Sequence, residues 1–204
     1  MDILLPVLIA LAAAAAGVAA AAGTGVKGIV AAWFKRRERA MLKEGYAQGL
    51  KNLAEFSGIL ERLRRVQSVD RVLVFVGQNG GGLPVPGKPY TVRSYFGWST
   101  RPGVESLGNY NFDLLVDRAY MTMLLKMIEE GSVVNTTETM SDGAILRTFY
   151  RDEGVKQSLL YFLNCDESQL VYLSVASYAG EFTADQKVLI EMEVQRLRAV
   201  MTRV

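Results

Sequence analysis

The chain contains no histidine. That absence removes both the side chain that most readily titrates near neutral pH and the commonest metal ligand. A lone cysteine, Cys165, excludes an internal disulfide and gives no sign of an oxidising compartment. Net charge is also scarce. The formal balance of +2 makes no case for nucleic acid as the main partner. No Gly-Lys-Ser/Thr follows the glycine run Gly80–Gly82, and Pro84 and Pro86 forbid a helix start there, so a phosphate loop is not expected. A nucleophile–base–orienter set would need a carboxylate or a lysine as its base, and no motif places one. The expectation is a protein that is not an enzyme and uses neither metal nor cofactor.

Apolar residues are plentiful. They make up 50% of the 204 residues, against 22% charged, enough for one ordinary domain plus something extra. The extra is N-terminal. Ile3–Val26 carries no charged residue and is long enough to cross a bilayer as a helix. A signal peptide is the main rival reading, but the segment lacks a basic n-region and its apolar run is too long for an h-region. A soluble Ala-rich helix buried in a partner is the third reading. Trp33 and Phe34 are followed at once by Lys35, Arg36, Arg37 and Arg39, an order that a membrane interface and its cytoplasmic side select. A solvated helix face would show the same basic residues. The predicted arrangement is a continuous helix over Ile3–Phe34, single-pass in the lipid bilayer of the cytoplasmic membrane. Its N-terminus lies outside and the rest of the chain in the cytoplasm. Ala13, Gly17, Ala21 and Gly25 recur every four residues, a spacing that lets helices approach closely in lipid.

A long polar helix is predicted over Ala31–Val66. Tyr46, Leu53 and Leu60 fall seven apart, and so do Phe56 and Leu63 after Gly49. Two functions fit this stripe: a seam pairing with a second copy, or the first helix of the domain packing on its own sheet. Gly45 and Gly49 argue against a strong zipper. The predicted division is 1–34 transmembrane helix, 35–66 basic juxtamembrane and linker helix, and 67–204 globular domain. Homodimerisation is expected through Gly17, Gly25, Tyr46, Leu53 and Leu60, with Val188 and Val200 as a leftover apolar edge of the last helix.

Within the domain, strands are predicted over Arg71–Gly77, Tyr90–Trp98 and Ser132–Thr139, with a mobile Gly/Pro connection over Gln78–Pro89. In the second strand Val92, Ser94 and Phe96 would share one face. Asn111–Glu130 reads as a helix whose stripe is Leu114, Met121, Leu125 and Ile128, with Leu124 beside them, closed by Gly131. The methionines Met121, Met123, Met127 and Met140 read as core filler or as an adaptable binding surface.

The last fifty residues are the most regular. Val155–Leu163 and Leu170–Ser177 flank the polar run Cys165-Asp166-Glu167-Ser168 as a hairpin. Thr183-Ala184-Asp185-Gln186 fits a capping box, and Ile190, Val194, Leu197, Met201 and Val204 step along one face behind it. This succession, preceded by a helix over Ala144–Asp152, resembles the C-terminal half of a GAF domain over Leu146–Val204. Over Lys51–Thr139 only the order of elements matches.

The resemblance implies an α+β fold: a GAF-like central antiparallel sheet with helices packed on it, preceded here by the transmembrane helix and the helical linker. Leu53–Val66 and Thr183–Val204 should cover one and the same sheet face, since both carry apolar stripes of similar length. The resemblance also implies a cavity, roofed by Gln78–Tyr110 and Thr136–Tyr150. Arg93, Tyr95, Trp98, Tyr110 and Phe149 are the ligand-binding candidates there, though ordinary packing would use the same residues. Relatives that reduce methionine sulfoxide use several cysteines, and those that carry a bilin use a cysteine near a histidine. This chain lacks both sets. The cyclic-nucleotide signature is echoed only by Asn164-Cys165-Asp166-Glu167. The function so implied is a membrane-anchored cytoplasmic sensory module that binds a small molecule or a protein. The alternatives are a phage- or plasmid-type envelope scaffolding or lysis-linked protein whose domain binds no ligand, and an exported domain if the N-terminus is cleaved.

Overall fold

The computed structural model describes residues 25–80, 82–101 and 114–202. Helix α1 (Gly25–Leu63) leads into strands β1 (Arg71–Gln78), β2 (Thr91–Ser99) and the short β3 (Leu114–Leu115). Then come α2 (Arg118–Glu130), β4 (Ser132–Thr136), α3 (Ile145–Glu153), β5 (Gln157–Cys165), β6 (Gln169–Ser177) and α4 (Ala184–Met201). The strands make one six-stranded sheet in the order β3-β2-β1-β6-β5-β4, antiparallel throughout. The chain divides into two compact units, Met1–Lys51 and Asn52–Val204. In the first, the described part of α1 exposes every side chain from Phe34 to Lys51. The sheet belongs to the second.

One face of the sheet is covered by the end of α1 together with α4. Ile59, Leu60 and Leu63 join Ile190, Val194, Leu197 and Val200 over Val72, Val74, Leu159, Tyr161, Leu173 and Val175. Both helices thus share one surface, as their stripes require. The capping box at the start of α4 is complete: the Thr183 amide donates to Gln186 at 2.8 Å, and the Gln186 amide donates to the Thr183 hydroxyl at 3.3 Å. Two expectations about self-association need correction here. Leu60 is fully buried in this core with Phe56 and Leu63 packed around it, so its side chain cannot face a second copy. Tyr46 and Leu53 are exposed on the same helix. Val200 is likewise buried and only Val188 remains outside.

The opposite face is covered by α2 and α3. Helix α2 starts later than its sequence suggests, because Leu114 pairs with Val92 in β3 and Asp117 caps the helix. Its buried stripe is Tyr120, Leu124 and Met127, whereas Met121, Leu125 and Ile128 stay exposed. The helix is apolar on two neighbouring stripes. Tyr120 tips the choice, because its hydroxyl finds a partner inside, on Tyr172 at 2.6 Å. Strand β4 ends at Thr136 because the Thr136 and Thr139 hydroxyls close a tight turn.

Among the described residues no helix is long and apolar enough to cross a membrane. Of the predicted span only its end falls within them: Gly25 and Val26 open α1, and Gly17 lies outside the described residues. Trp33 through Arg39 sit inside α1, with Phe34, Lys35, Arg36, Arg37 and Arg39 exposed.

Candidate functional site

Between the sheet and the helices α2 and α3 lies a layer unusually rich in polar side chains. Arg71 on β1, Ser94 on β2, Asn135 on β4, Ser158 on β5 and Ser174 on β6 are all buried there. Buried polar groups persist only when hydrogen-bonded or paired, and these are connected. Ser158 and Ser174 hydroxyls meet at 3.1 Å. Ser94 donates to the Phe96 carbonyl at 3.1 Å. Tyr150 of α3 lies against the same layer, with the Arg71 guanidinium 5.6 Å from its ring centroid. Burial pushes the Tyr150 phenol up, while the charge of Arg71 and the reach of Ser158 and Asn135 pull it back. Tyr172 stacks on Phe75 at 5.1 Å and its phenol is raised by burial and by Tyr120 beside it.

Two carboxylates fix the cover. Asp117 accepts from the Tyr120 amide at 2.7 Å and, with its other oxygen, from the Ile145 amide at 2.8 Å, so one side chain holds the first turns of both α2 and α3. Glu153, at the far end of α3, is ion-paired with Arg71 of β1. Arg101 also donates to the Glu153 carbonyl and lies 4.1 Å over the Tyr178 ring. Helix α3 is thus held to the sheet at both ends.

At the side of this layer an open cleft of about 630 Å³ runs between α2, β4 and the connection from β4 to α3. Arg118, Thr122 and Lys126 form one ridge of α2 along it. Met123, Met140 and Leu146 supply apolar wall, and Tyr120 and Asn135 form its buried floor. Asn135 is the hinge between layer and cleft: its Nδ2 donates to the Met123 sulfur at 2.9 Å. A thioether is a weak acceptor.

The four ligand candidates among the described residues fall elsewhere. A β-bulge in β2 pairs Val74 with Phe96 but Phe75 with Ser94, leaving Tyr95 as the extra residue. Alternation therefore switches faces at Tyr95. Val92 packs under α2, whereas Phe96 and Trp98 pack on the α1/α4 side. Trp98 is half-buried there under the Arg64 guanidinium, 4.7 Å from the ring centroid, and so is not a wall of the α2/α3 layer. Arg93 and Tyr95 are exposed, Phe149 is half-buried on α3 beside Tyr150, and Tyr110 lies outside the described residues. Sequence reasoning missed the floor residues Tyr120 and Asn135 and the buried Ser158 and Ser174, although a serine inside each of two apolar strands is a readable signal. Among the described residues no cluster of His, Cys, Asp and Glu could hold a metal ion. Cys165 is exposed at the end of β5.

No protein-family model matches the chain, and no curated protein does either. Solved structures do. The GAF domain of a two-component sensor histidine kinase from Bacillus halodurans is 10% identical, with a TM-score of 0.53 over 74% of this chain and 92% of that one. The GAF domain/HD domain protein from Geobacter sulfurreducens is 12% identical, with a TM-score of 0.52 over 74% and 91%. A GAF3 domain from Synechocystis in its photoproduct state is 17% identical, with a TM-score of 0.50 over 74% and 94%. At such identities the likeness shows the fold. The second unit has the fold of a GAF domain.

Proposed function

We propose that this chain is a non-catalytic sensory module that binds a small molecule in the cleft between α2 and β4, and that its N-terminal segment tethers it to a membrane. The observation that carries the ligand-binding reading is the buried polar floor, Tyr120 and Asn135, beneath a cleft of about 630 Å³. Small-molecule sites combine a mainly apolar wall with a few placed polar groups in volumes of this order. The likeness to a GAF domain of a sensor kinase supports the sensory half of the reading. The missing histidine and the single exposed thiol support the non-catalytic half. The tether rests on the charge-free Ile3–Val26 and the aromatic and basic residues behind it. Pairing of two copies, if the tether confines them, would use the exposed Leu42, Tyr46 and Leu53 of α1.

A thermal-shift screen of the full chain against small metabolites tests the binding. Compounds that raise Tm should lose that effect in Ala119→Trp, which fills the cleft, while far-ultraviolet circular dichroism of the variant stays unchanged. Stabilisation that survives Ala119→Trp would place the ligand elsewhere and overturn the assignment.

A further inference from the structure

The charges around the cleft are one-sided. Among its described lining residues Arg118 and Lys126 are the charged ones, and both are basic. They stand two turns apart on one ridge of α2 with the Thr122 hydroxyl between them. Asp117, next to Arg118 in the chain, already accepts two backbone hydrogen bonds with its two oxygens, and Asp142, beside the lining residue Ser141, is paired with Arg147. Among the described residues Lys126 has Glu130 as a loose ion-pair neighbour at 3.9 Å, and both side chains are more than half exposed. Exposed pairs of that kind hold a side chain weakly. Below the ridge, the wall is Met123, Met140 and Leu146, flexible and apolar. At the bottom the Asn135 carboxamide is more than nine-tenths buried, between the Tyr150 phenol that it reaches and the Met123 sulfur, to which its Nδ2 donates at 2.9 Å.

We infer that the cleft takes a small organic acid: a compact apolar body carrying one carboxylate. The inference rests on the reading of this cleft as the ligand site. The acid's carboxylate lies along the ridge, where Arg118 and Lys126 give charge-assisted hydrogen bonds, while the Thr122 hydroxyl between them is spent on the Arg118 carbonyl at 3.0 Å. Its body replaces water on the methionine wall. A polar atom near the far end, where one exists, meets Asn135. A polyanion such as a nucleotide is disfavoured, because its additional charges would lie against the apolar wall without partners.

The test uses 4-phenylbutyrate as the acid and 4-phenylbutanol as its uncharged analogue, with the full chain carrying labelled methionine methyl groups. The acid should shift the Met123 and Met140 methyl signals saturably, and the alcohol should bind at least about tenfold more weakly, the difference a charge-assisted contact supports. In the Arg118→Gln/Lys126→Gln variant the two compounds should become equal in affinity, because both substituted side chains are exposed or at the rim and the fold does not depend on them. If the alcohol binds as tightly as the acid to the unaltered chain, the ligand class is wrong while the cleft remains the site. If the acid shifts methionines outside the cleft, or none, the proposal falls. The Ala119→Trp screen then decides the underlying reading separately.

Discussion

At the scale of single residues, the molecule depends on side chains that sit where a neighbour leaves room for nothing else. Gly77 in β1 shows this most sharply. A Cβ built there would lie 2.4 Å from the Tyr90 hydroxyl oxygen and 2.9 Å from Cζ, so the whole ring would have to move. Tyr90 packs at the edge of the α2-side core beside Phe75 and Val92, where its phenol is pushed up mainly by burial. Overpacking of this kind costs about 1–3 kcal/mol. We therefore expect Gly77→Ala to lower the unfolding free energy measured by urea titration by that amount. In a Tyr90→Ala background the same change should cost a few tenths at most, because the contact is gone. Equal costs in the two backgrounds would mean that the glycine is there for its backbone and not for the tyrosine.

Elements obey a different logic, in which a stripe visible in the sequence still has to find its surface. Phe56 and Leu63 stand a heptad apart on α1, and Leu60 continues the heptad of Leu53 and Tyr46, one and two repeats earlier, yet only Phe56, Leu60 and Leu63 are covered. Leu60→Ala should cost about 2–5 kcal/mol, the range for a fully buried leucine. Leu53→Ala should leave the unfolding free energy within about 0.5 kcal/mol, as an exposed position does. Denaturant melts of both variants check the pair, and a large loss at Leu53 would show that α1 is covered further toward its start. The two cases are indistinguishable from spacing alone. By contrast, the C-terminal hairpin and α4 were legible nearly residue by residue, because a capping box, a polar turn and an apolar stripe are all local features. What stayed illegible was decided by distant contacts. The bulge at Tyr95 turned Trp98 to the opposite face, the Tyr120–Tyr172 hydroxyl pair rotated α2 away from Met121 and Leu125, and the floor of the cleft was assembled from β4 and α2. Neither a bulge nor a paired hydroxyl announces itself in composition.

Across the whole sheet-bearing unit, one property gathers these contacts: its interior holds tyrosines that cannot easily ionise. Tyr120, Tyr150 and Tyr172 lie on the α2/α3 side and Tyr161 on the α1/α4 side, and the phenol of each is raised above its usual value near 10, chiefly by burial. The sign follows from linkage. Below the pKa of the unfolded chain, near 10, both states keep neutral phenols and the contribution to stability is complete. As pH rises further, the unfolded chain releases these protons while the folded one retains them, so stability falls until the folded values are reached. Each such tyrosine can add up to about 1.4 kcal/mol of loss per pH unit in that window. Unfolding in alkali should therefore be cooperative, with phenolate absorbance from the buried set appearing together with loss of the circular dichroism signal. The Tyr120→Phe/Tyr172→Phe variant sharpens the test. Removing both partners of one hydrogen bond at nearly constant shape should change stability little at neutral pH. Above the unfolded pKa the same variant should outlast the unaltered chain, because two of its raised phenols are gone. Phenolate absorbance that rises to its full extent while the fold persists would show instead that base reaches the layer beneath α2 and α3 without unfolding, and that the polar floor opens to solvent as a unit.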